Sequence, residues 1–297
     1  MIHLKSSLHN LTLFLFLPLS AWAQTEMTAD NERRSVSWTE YAEIAMNHVD
    51  KSTHTAEPHL LVGAELPLGQ GWSFYGEAEW NGEVDLPQMC IQKRFSEWCT
   101  LRAGKLTVPL GMANLYDAPL SHLSTTLPDV EALACHFEGN LPGLSLSGHA
   151  ASWEYEIQLL TSGDSAALAM RVGCHPLPWI SIGMSGYYDG QLVVSTDAEA
   201  ITNRLTARAI ATYHAHLRLL HTGLEAGITL LEQSRTGRLM AFARYDYCNS
   251  TLYGQHTTLG FNYFPREPLV VKAEVSHSWD KTLGSLALSV GIGIEID

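Results

Sequence analysis

Three local pairs carry the groups that hydrolysis or metal binding needs: His277-Ser278, His221-Thr222, and His214 with His216. A histidine beside a hydroxyl supplies a base and a nucleophile, and two histidines two residues apart on a strand share one face as metal ligands. Neither chemistry is completed. Fourteen histidines make such adjacencies cheap, no Gly-x-Ser-x-Gly elbow accompanies the hydroxyls, and two ligands do not make a metal centre. The five cysteines, Cys90, Cys99, Cys135, Cys174 and Cys248, are scattered, and none forms a C-x-x-C ligand pair. If the chain turns at Ser96-Glu97, Cys99 faces Arg94 and Cys90 faces Ala103, so these two are not disulfide partners. The expectation is a protein that is not an enzyme, with no cofactor and no metal.

The remaining chemistry is charge laid out with a period of two. Trp72, Phe74, Gly76, Ala78 and Trp80 alternate with Ser73, Tyr75, Glu77, Glu79 and Asn81. Trp153, Tyr155, Ile157 and Leu159 alternate with Glu154, Glu156 and Gln158. Leu205, Ala207, Ala209, Ala211 and Tyr213 oppose Thr206, Arg208, Thr212 and His214, with Arg204 at the start of that polar face. Leu269, Val271, Ala273 and Val275 oppose Lys272 and Glu274, and Leu286 to Ile294 alternates with Ser289, Gly291, Gly293 and Glu295. Strands that are polar on one face and apolar on the other over about 10 residues have the length of tilted membrane-crossing strands. Aromatics at both ends of a strand, as at Trp72 and Trp80, match two membrane interfaces, whereas a soluble sandwich uses strands of about 5–6 residues.

The elements that position these charges are therefore the staves of an antiparallel transmembrane β-barrel, an all-β fold of about 16 strands with about 14 as the alternative. Short joints are expected at Pro67-Leu68-Gly69-Gln70, Ser96-Glu97, Ala151-Ser152, Pro176-Leu177-Pro178, Ser234-Arg235-Thr236-Gly237 and Pro265-Arg266-Glu267-Pro268. Pro109 to Pro142 reads as one long connection and Gly190 to Asn203 as a moderately long one. Residues 1–23 have the order of a signal peptide: a polar start with Lys5, an apolar run from Leu11 to Leu19, then Ala21-Trp22-Ala23. Residues 24–33 read as a flexible periplasmic leader, and 34–297 as one barrel domain. The formal net charge of -13 argues against a nucleic-acid partner and fits a bacterial surface protein of the Gram-negative outer membrane.

With the polar faces turned inward, the expected pore-lining residues are Arg94, Arg102, Arg171, Arg204, Arg208, Arg244, Lys272, Glu77, Glu79, Glu154 and Glu156. Arg218, Arg238, Glu43, Glu65, Asp189, Asp246, Glu274 and Glu295 fall on the same faces. A lumen of mixed sign can impose a transverse field across a water-filled pore. The alternative is that these groups fill and salt-bridge a narrow or closed barrel with a structural or adhesion role.

The segment Leu101 to Pro119, LRAGKLTVPLGMANLYDAP, resembles the Gly-(Arg/Lys)-x-x-x-Pro-x-Gly segment of the phosphate-selective porin O/P family. Leu259 to His277, LGFNYFPREPLVVKAEVSH, is similar to that family's late hairpin, and Leu168 to Tyr188 is a third match. The resemblance implies a channel in the outer-membrane lipid that passes small hydrophilic solutes or ions, commonly as a homotrimer, with the long loop folded into the lumen. Lys105 and Arg171 bracket a stretch without lysine or arginine, in which Asp117, Asp129 and Glu131 occupy the long connection. If that connection constricts the pore, these acids favour cations over phosphate; if it lies outside, they are merely solvated.

Overall fold

In the computed structural model, residues 36–49, 52–55, 58–112, 120–125, 139–234, 237–250, 254–279 and 285–296 are described. Eighteen strands follow one another: β1 (Ser37–Val49), β2 (Ser52–Thr55), β3 (His59–Gly69), β4 (Trp72–Trp80), β5 (Val84–Asp85) and β6 (Met89–Ser96). Next come β7 (Cys99–Thr107), β8 (Asn140–Ala150), β9 (Trp153–Ser162), β10 (Ser165–Leu177), β11 (Ile180–Tyr188) and β12 (Leu192–Ile201). The last are β13 (Leu205–His214), β14 (Leu219–Ser234), β15 (Gly237–Cys248), β16 (Gln255–Arg266), β17 (Leu269–Ser278) and β18 (Ser285–Ile296). Sixteen are staves of 8 to 16 residues. The short β2 and β5 pair antiparallel with the ends of β1 and β4.

Each stave pairs antiparallel with its neighbours in the chain, and β1 closes the ring on β18 from Glu40 opposite Ile296 to Val49 opposite Ala287. Among the described staves closure leaves no unpaired sheet edge, which a lipid environment requires because no water there can bond free N–H and C=O groups. The even number of staves puts the starts of β1 and the end of β18 at the same end of the barrel. Tight turns join the staves there, and the long connection leaves β7 and enters β8 at the opposite end.

The side-chain period sorts the residues as the sequence predicts. Leu144, Leu159, Met184, Leu224, Leu259, Phe261, Leu288 and Val290 are more than half exposed on the outer face. Exposed leucines in a continuous band are stable only against lipid. Trp72, Trp98, Trp153 and Trp179 crowd the turn end, while Trp80, Tyr188, Tyr213 and Trp279 stand at the opposite end, forming two aromatic girdles.

Four placements differ from the sequence-based expectation. Gly190 to Asn203 is mostly strand, because β12 alternates Val193, Ser195, Asp197 and Glu199 inward with Thr196, Ala198 and Ala200 outward. Its acids and serine had the composition of a loop but the period of a stave. The β6–β7 turn is Glu97-Trp98, so Cys99 pairs with Ser96 and Cys90 with Gly104; the cysteines still do not meet. Pro142 belongs to β8, opposite Lys105, one residue before the β8–β9 ladder begins at Gly143, where its missing N–H costs nothing on that side. Arg204 sits in the β12–β13 turn rather than on a stave, its side chain 72% exposed beside Glu232.

Pro67, Pro176 and Pro265 each fall inside a register shift, between Pro67 and Gly69, Cys174 and Leu177, and Tyr263 and Arg266. A bulge is where a strand can absorb a residue without a donor. The segments 1–23 and 24–33 lie outside the described residues.

Leu224→Arg places a guanidinium on the lipid face of β14. Equilibrium unfolding from lipid vesicles is expected to show a loss of about 2–4 kcal/mol, the cost near the bilayer midplane, with a smaller loss for Leu217→Arg in the turn at the rim.

Candidate functional site

The inner face mixes polar side chains with apolar patches, and the described residues of the connection after β7 are folded onto it. Leu106 at the end of β7 is fully buried, and Val108 and Leu110 continue along the inner wall. They pack in one apolar cluster with Leu141, Leu160, Ala167, Ala169, Tyr187 and Val193, which step from β8 to β12. Gly111 donates its N–H to Ser185 Oγ at 2.9 Å, and Met112 packs on Ile210 of β13.

The chain next enters the described residues at Leu120, now against β14 to β18. Leu120 and Leu123 pack on Met240, Phe242, Phe264 and Val270, inward apolar residues of β15 to β17. Burying a leucine in this way contributes about 1.5–3 kcal/mol. The backbone of the same segment is held by polar side chains. Asn262 Nδ2 donates to Leu123 O at 2.8 Å, and Lys272 Nζ donates to both His122 O and Ser124 O at 2.8 Å. Thr125 donates from N and Oγ1 to the two carboxylate oxygens of Glu274 at 2.9 and 2.6 Å, and Arg244 donates to Ser124 Oγ. Four side chains on three staves therefore hold four successive residues, His122 to Thr125.

Gly227 makes this seat possible, since a Cβ there would lie 2.8 Å from Leu123 and 2.9 Å from the Met240 sulfur. The described part of the connection thus lies inside the barrel along β8 to β18. Asp117, Asp129 and Glu131 lie outside the described residues.

Beneath the connection the charges are paired and buried. Arg171 grips Asp197 through two bonds of 2.7 and 2.8 Å, and its Nη1 also donates to Gly111 O at 3.3 Å. The two side chains are 8% and 1% exposed. Gly183 lies across from them and must lack a side chain, because a Cβ would stand 2.2 Å from the guanidinium. Arg208 bridges Glu199 at 2.5 Å and Glu225 at 3.3 Å. Arg244 holds Asp246 at 2.7 Å, the two being 4% and 3% exposed.

The other half of the wall is wetter. Arg102 reaches Glu156 at 3.5 Å with exposures of 25% and 18%. His59 stands between Glu43 at 3.5 Å and Glu79 at 2.9 Å, all three 19–26% exposed. Glu65 accepts bonds from Ser73 and Gln92, and Glu77 accepts one from Tyr75.

Of the residues singled out in the sequence, Arg102, Arg171, Arg208, Arg244, Lys272, Glu77, Glu79, Glu154 and Glu156 fall on inward positions of their staves. Arg94 is exposed near the β6–β7 turn, and Glu154 pairs with His175 at 3.5 Å near the same end, both half exposed. Arg204 and Arg218 are in turns at opposite ends. Arg238 faces inward and stacks over the Phe264 ring at 4.1 Å.

Sequence reasoning missed Asp197, Glu199 and Glu225, the partners of Arg171 and Arg208. The alternation of β12, and of His221, Gly223, Glu225 and Gly227 in β14, carried the signal. Of the candidate chemical pairs, His277 points outward against Trp279, and His214 stacks on His221 at 5.6 Å rather than joining His216, which lies in a turn. No cluster of three or more metal-ligating side chains occurs among the described residues.

No protein-family model matches the chain, and the search of curated proteins found no relative. Solved structures do match in fold. A loop-deletion mutant of OmpT, an outer membrane protein of Vibrio cholerae, superposes with a TM-score of 0.63 over 89% of this chain and all of its own, at 12% identity. A triple mutant of Rhodopseudomonas blastica porin gives 0.64 over 88% of this chain and all of its own, at 11% identity. The barrel is therefore of the porin-type outer-membrane architecture, closed and lipid-facing.

Arg171→Met leaves Asp197 buried beside no cation. Denaturant titration of the folded barrel is expected to show a loss of about 3–5 kcal/mol, most of it regained when Asp197→Leu is added. An equal loss in the double variant would mean that the pair stabilises by packing and not by charge.

Proposed function

We propose that this protein is an outer-membrane porin through which small hydrophilic solutes or ions diffuse passively. The observation that carries the reading is the uneven wetting of the inner face. Arg171, Asp197, Arg244 and Asp246 are buried in ion pairs, while Glu43, His59, Glu79, Arg102 and Glu156 keep water contact on the inner surface of the same ring. A barrel of sixteen staves encloses more space than its own side chains fill, and porins of that size conduct. The inward residues Arg102, Arg171, Arg208, Arg244, Lys272, Glu77, Glu79, Glu154 and Glu156 are the proposed lumen lining, with Arg94 at its mouth. Asp117, Asp129 and Glu131 are the proposed acids of the constriction.

The resemblance to the phosphate-selective porin O/P family supports the channel and a homotrimeric assembly, with residues 1–23 removed on export. It does not extend to phosphate selectivity in this reading, because the inward arginines are engaged by Asp197, Glu199, Glu225 and Asp246. The second reading, a closed barrel with a structural or adhesion role, is favoured by those same buried pairs, which resemble a packed plug. No catalytic centre is proposed.

Purified protein in a planar bilayer is expected to give steady open steps. Lys272→Met with Glu274→Ala releases the carbonyls of His122 and Ser124 and the N–H of Thr125, so open-channel current should become larger and noisier. Heat-modifiable mobility on gels reports that the barrel is still folded. A folded wild type that never conducts would favour the closed barrel.

A further inference from the structure

Two lysines stand on the outer, lipid-facing side of the neighbouring staves β6 and β7, and the protein partners them differently. Cys90 and Leu106 are buried on the inner face, so the period of two turns Ile91, Lys93 and Phe95 outward on β6 and Leu101, Ala103 and Lys105 outward on β7. Lys105 lies toward the end where the long connection leaves β7. It donates to Leu86 O at 2.8 Å, and the Asp85 carboxylate at 3.6 Å balances its charge. Lys93 lies at the turn end, opposite Trp72 on β4 and Leu101 on β7. Its ammonium donates to Gln70 O and stands 5.2 Å from the Trp72 ring centroid and 5.7 Å from that of Phe95. Among the described residues no carboxylate forms an ion pair with it.

This ammonium is held in place. The β3–β4 turn runs through Gly69, Gln70 and Gly71, all at positive φ, and sets the Gln70 carbonyl against the amine. Gly71 must lack a side chain, because a Cβ would stand 2.5 Å from Arg94 O and 3.8 Å from Lys93 Nζ. The surroundings fix its depth. Trp72, Phe95 and Trp98 are exposed around it as part of the girdle at the turn end. One step toward the middle of the wall, Phe74 lies between Leu66 and Ile91, all three apolar and exposed. The charge therefore sits where the hydrocarbon band gives way to headgroups, the level to which a lysine stem carries its amine. Short turns mark the periplasmic end of an outer-membrane barrel, so the leaflet it faces is the periplasmic one.

We infer that Lys93 anchors a lipid site, in which the phosphate of an anionic glycerophospholipid of that leaflet meets the ammonium and the acyl chains lie along Leu66, Phe74, Ile91 and Leu101. The inference rests on the outer-membrane barrel and not on the porin reading. An ammonium has three N–H donors, and Gln70 O takes one, so the others are free to donate to phosphate oxygens in charge-assisted bonds. The two rings steady the cation without neutralising it. A zwitterionic headgroup brings its own ammonium, which competes with Lys93 for the phosphate, so a headgroup of net negative charge is preferred. Lys105 makes no such site, because Asp85 already meets its charge.

The test is native mass spectrometry of the folded full protein released from detergent micelles carrying phosphatidylglycerol or phosphatidylcholine. The wild type is expected to retain phosphatidylglycerol several-fold more often than phosphatidylcholine. That retention should fall as ammonium acetate is raised, because salt screens an exposed ion pair. Lys93→Gln should bring phosphatidylglycerol down to the phosphatidylcholine level, Lys93→Arg should keep most of the preference, and Lys105→Gln should leave it unchanged. Heat-modifiable mobility reports whether each variant is folded, and the salt series on the wild type decides if Lys93→Gln is not. Equal retention of the two lipids, indifference to salt, or a preference that survives Lys93→Gln would overturn the inference. So would an equal loss in Lys105→Gln, which would make the effect one of overall charge. Displacement of the lipid by soluble glycerol phosphate would overturn it as well, by giving the site to a free phosphate.

Discussion

The seam between β1 and β18 is the constraint on which everything else depends, because ten residue pairs there turn a long meander into a ring. In lipid an open edge would leave a row of backbone donors and acceptors without partners, each at a cost of several kcal/mol. Once the ring closes, every stave has only two choices for a side chain, out into hydrocarbon or in toward the lumen. The period of two then does the sorting without any further device. Leu224 and Leu288 go out, Glu225 and Ser289 go in, and no stave interior is free to mix the two.

That sorting creates the second problem, which is where the inward charges find partners. On β10 to β15 the answer is pairing, across strands for Arg171 with Asp197 and Arg208 with Glu199 and Glu225, and along β15 for Arg244 with Asp246. Pairs so well buried add little net stability over an apolar core, yet losing one partner is costly. Their value here is positional. Arg171, Arg244 and Lys272 also hold backbone or hydroxyl groups of the connection after β7, so these charges fix the path of its described residues, which form no strand or helix. The apolar contacts of Leu110 and Leu123 tie it to the wall at two places, and the polar contacts set its register.

Identities of 11–12% with solved porin-type barrels fit this physics. A lipid-facing position asks only for an apolar residue, a lumen position only for a small or polar one, and a girdle position for an aromatic. Many residues satisfy each, so the fold persists while identities drift. What must be particular is local: a glycine such as Gly183 or Gly227 where a guanidinium or a leucine crosses, and a bulge where Pro67, Pro176 or Pro265 interrupts a ladder.

The strand type, the facing of β4, β9, β13, β17 and β18, the approximate number of staves and the separation of Cys90 from Cys99 were all legible from the sequence. Each follows from periodicity or from local spacing, and both are properties of neighbours along the chain. Boundaries were less secure: β12 hid behind loop-like composition, Arg204 fell one residue outside its stave, and the β6–β7 turn slipped by one. The pairing of Arg171 with Asp197, across 26 residues, and of Glu274 with Thr125, across 149, was not legible, because only ring closure decides which staves become neighbours and which inward groups face the returning connection. The same holds for the stretch of β18, β1, β3 and β4 that carries glutamates but no lysine or arginine. Its residues lie at the two ends of the chain, and they form one wall only because the seam joins them.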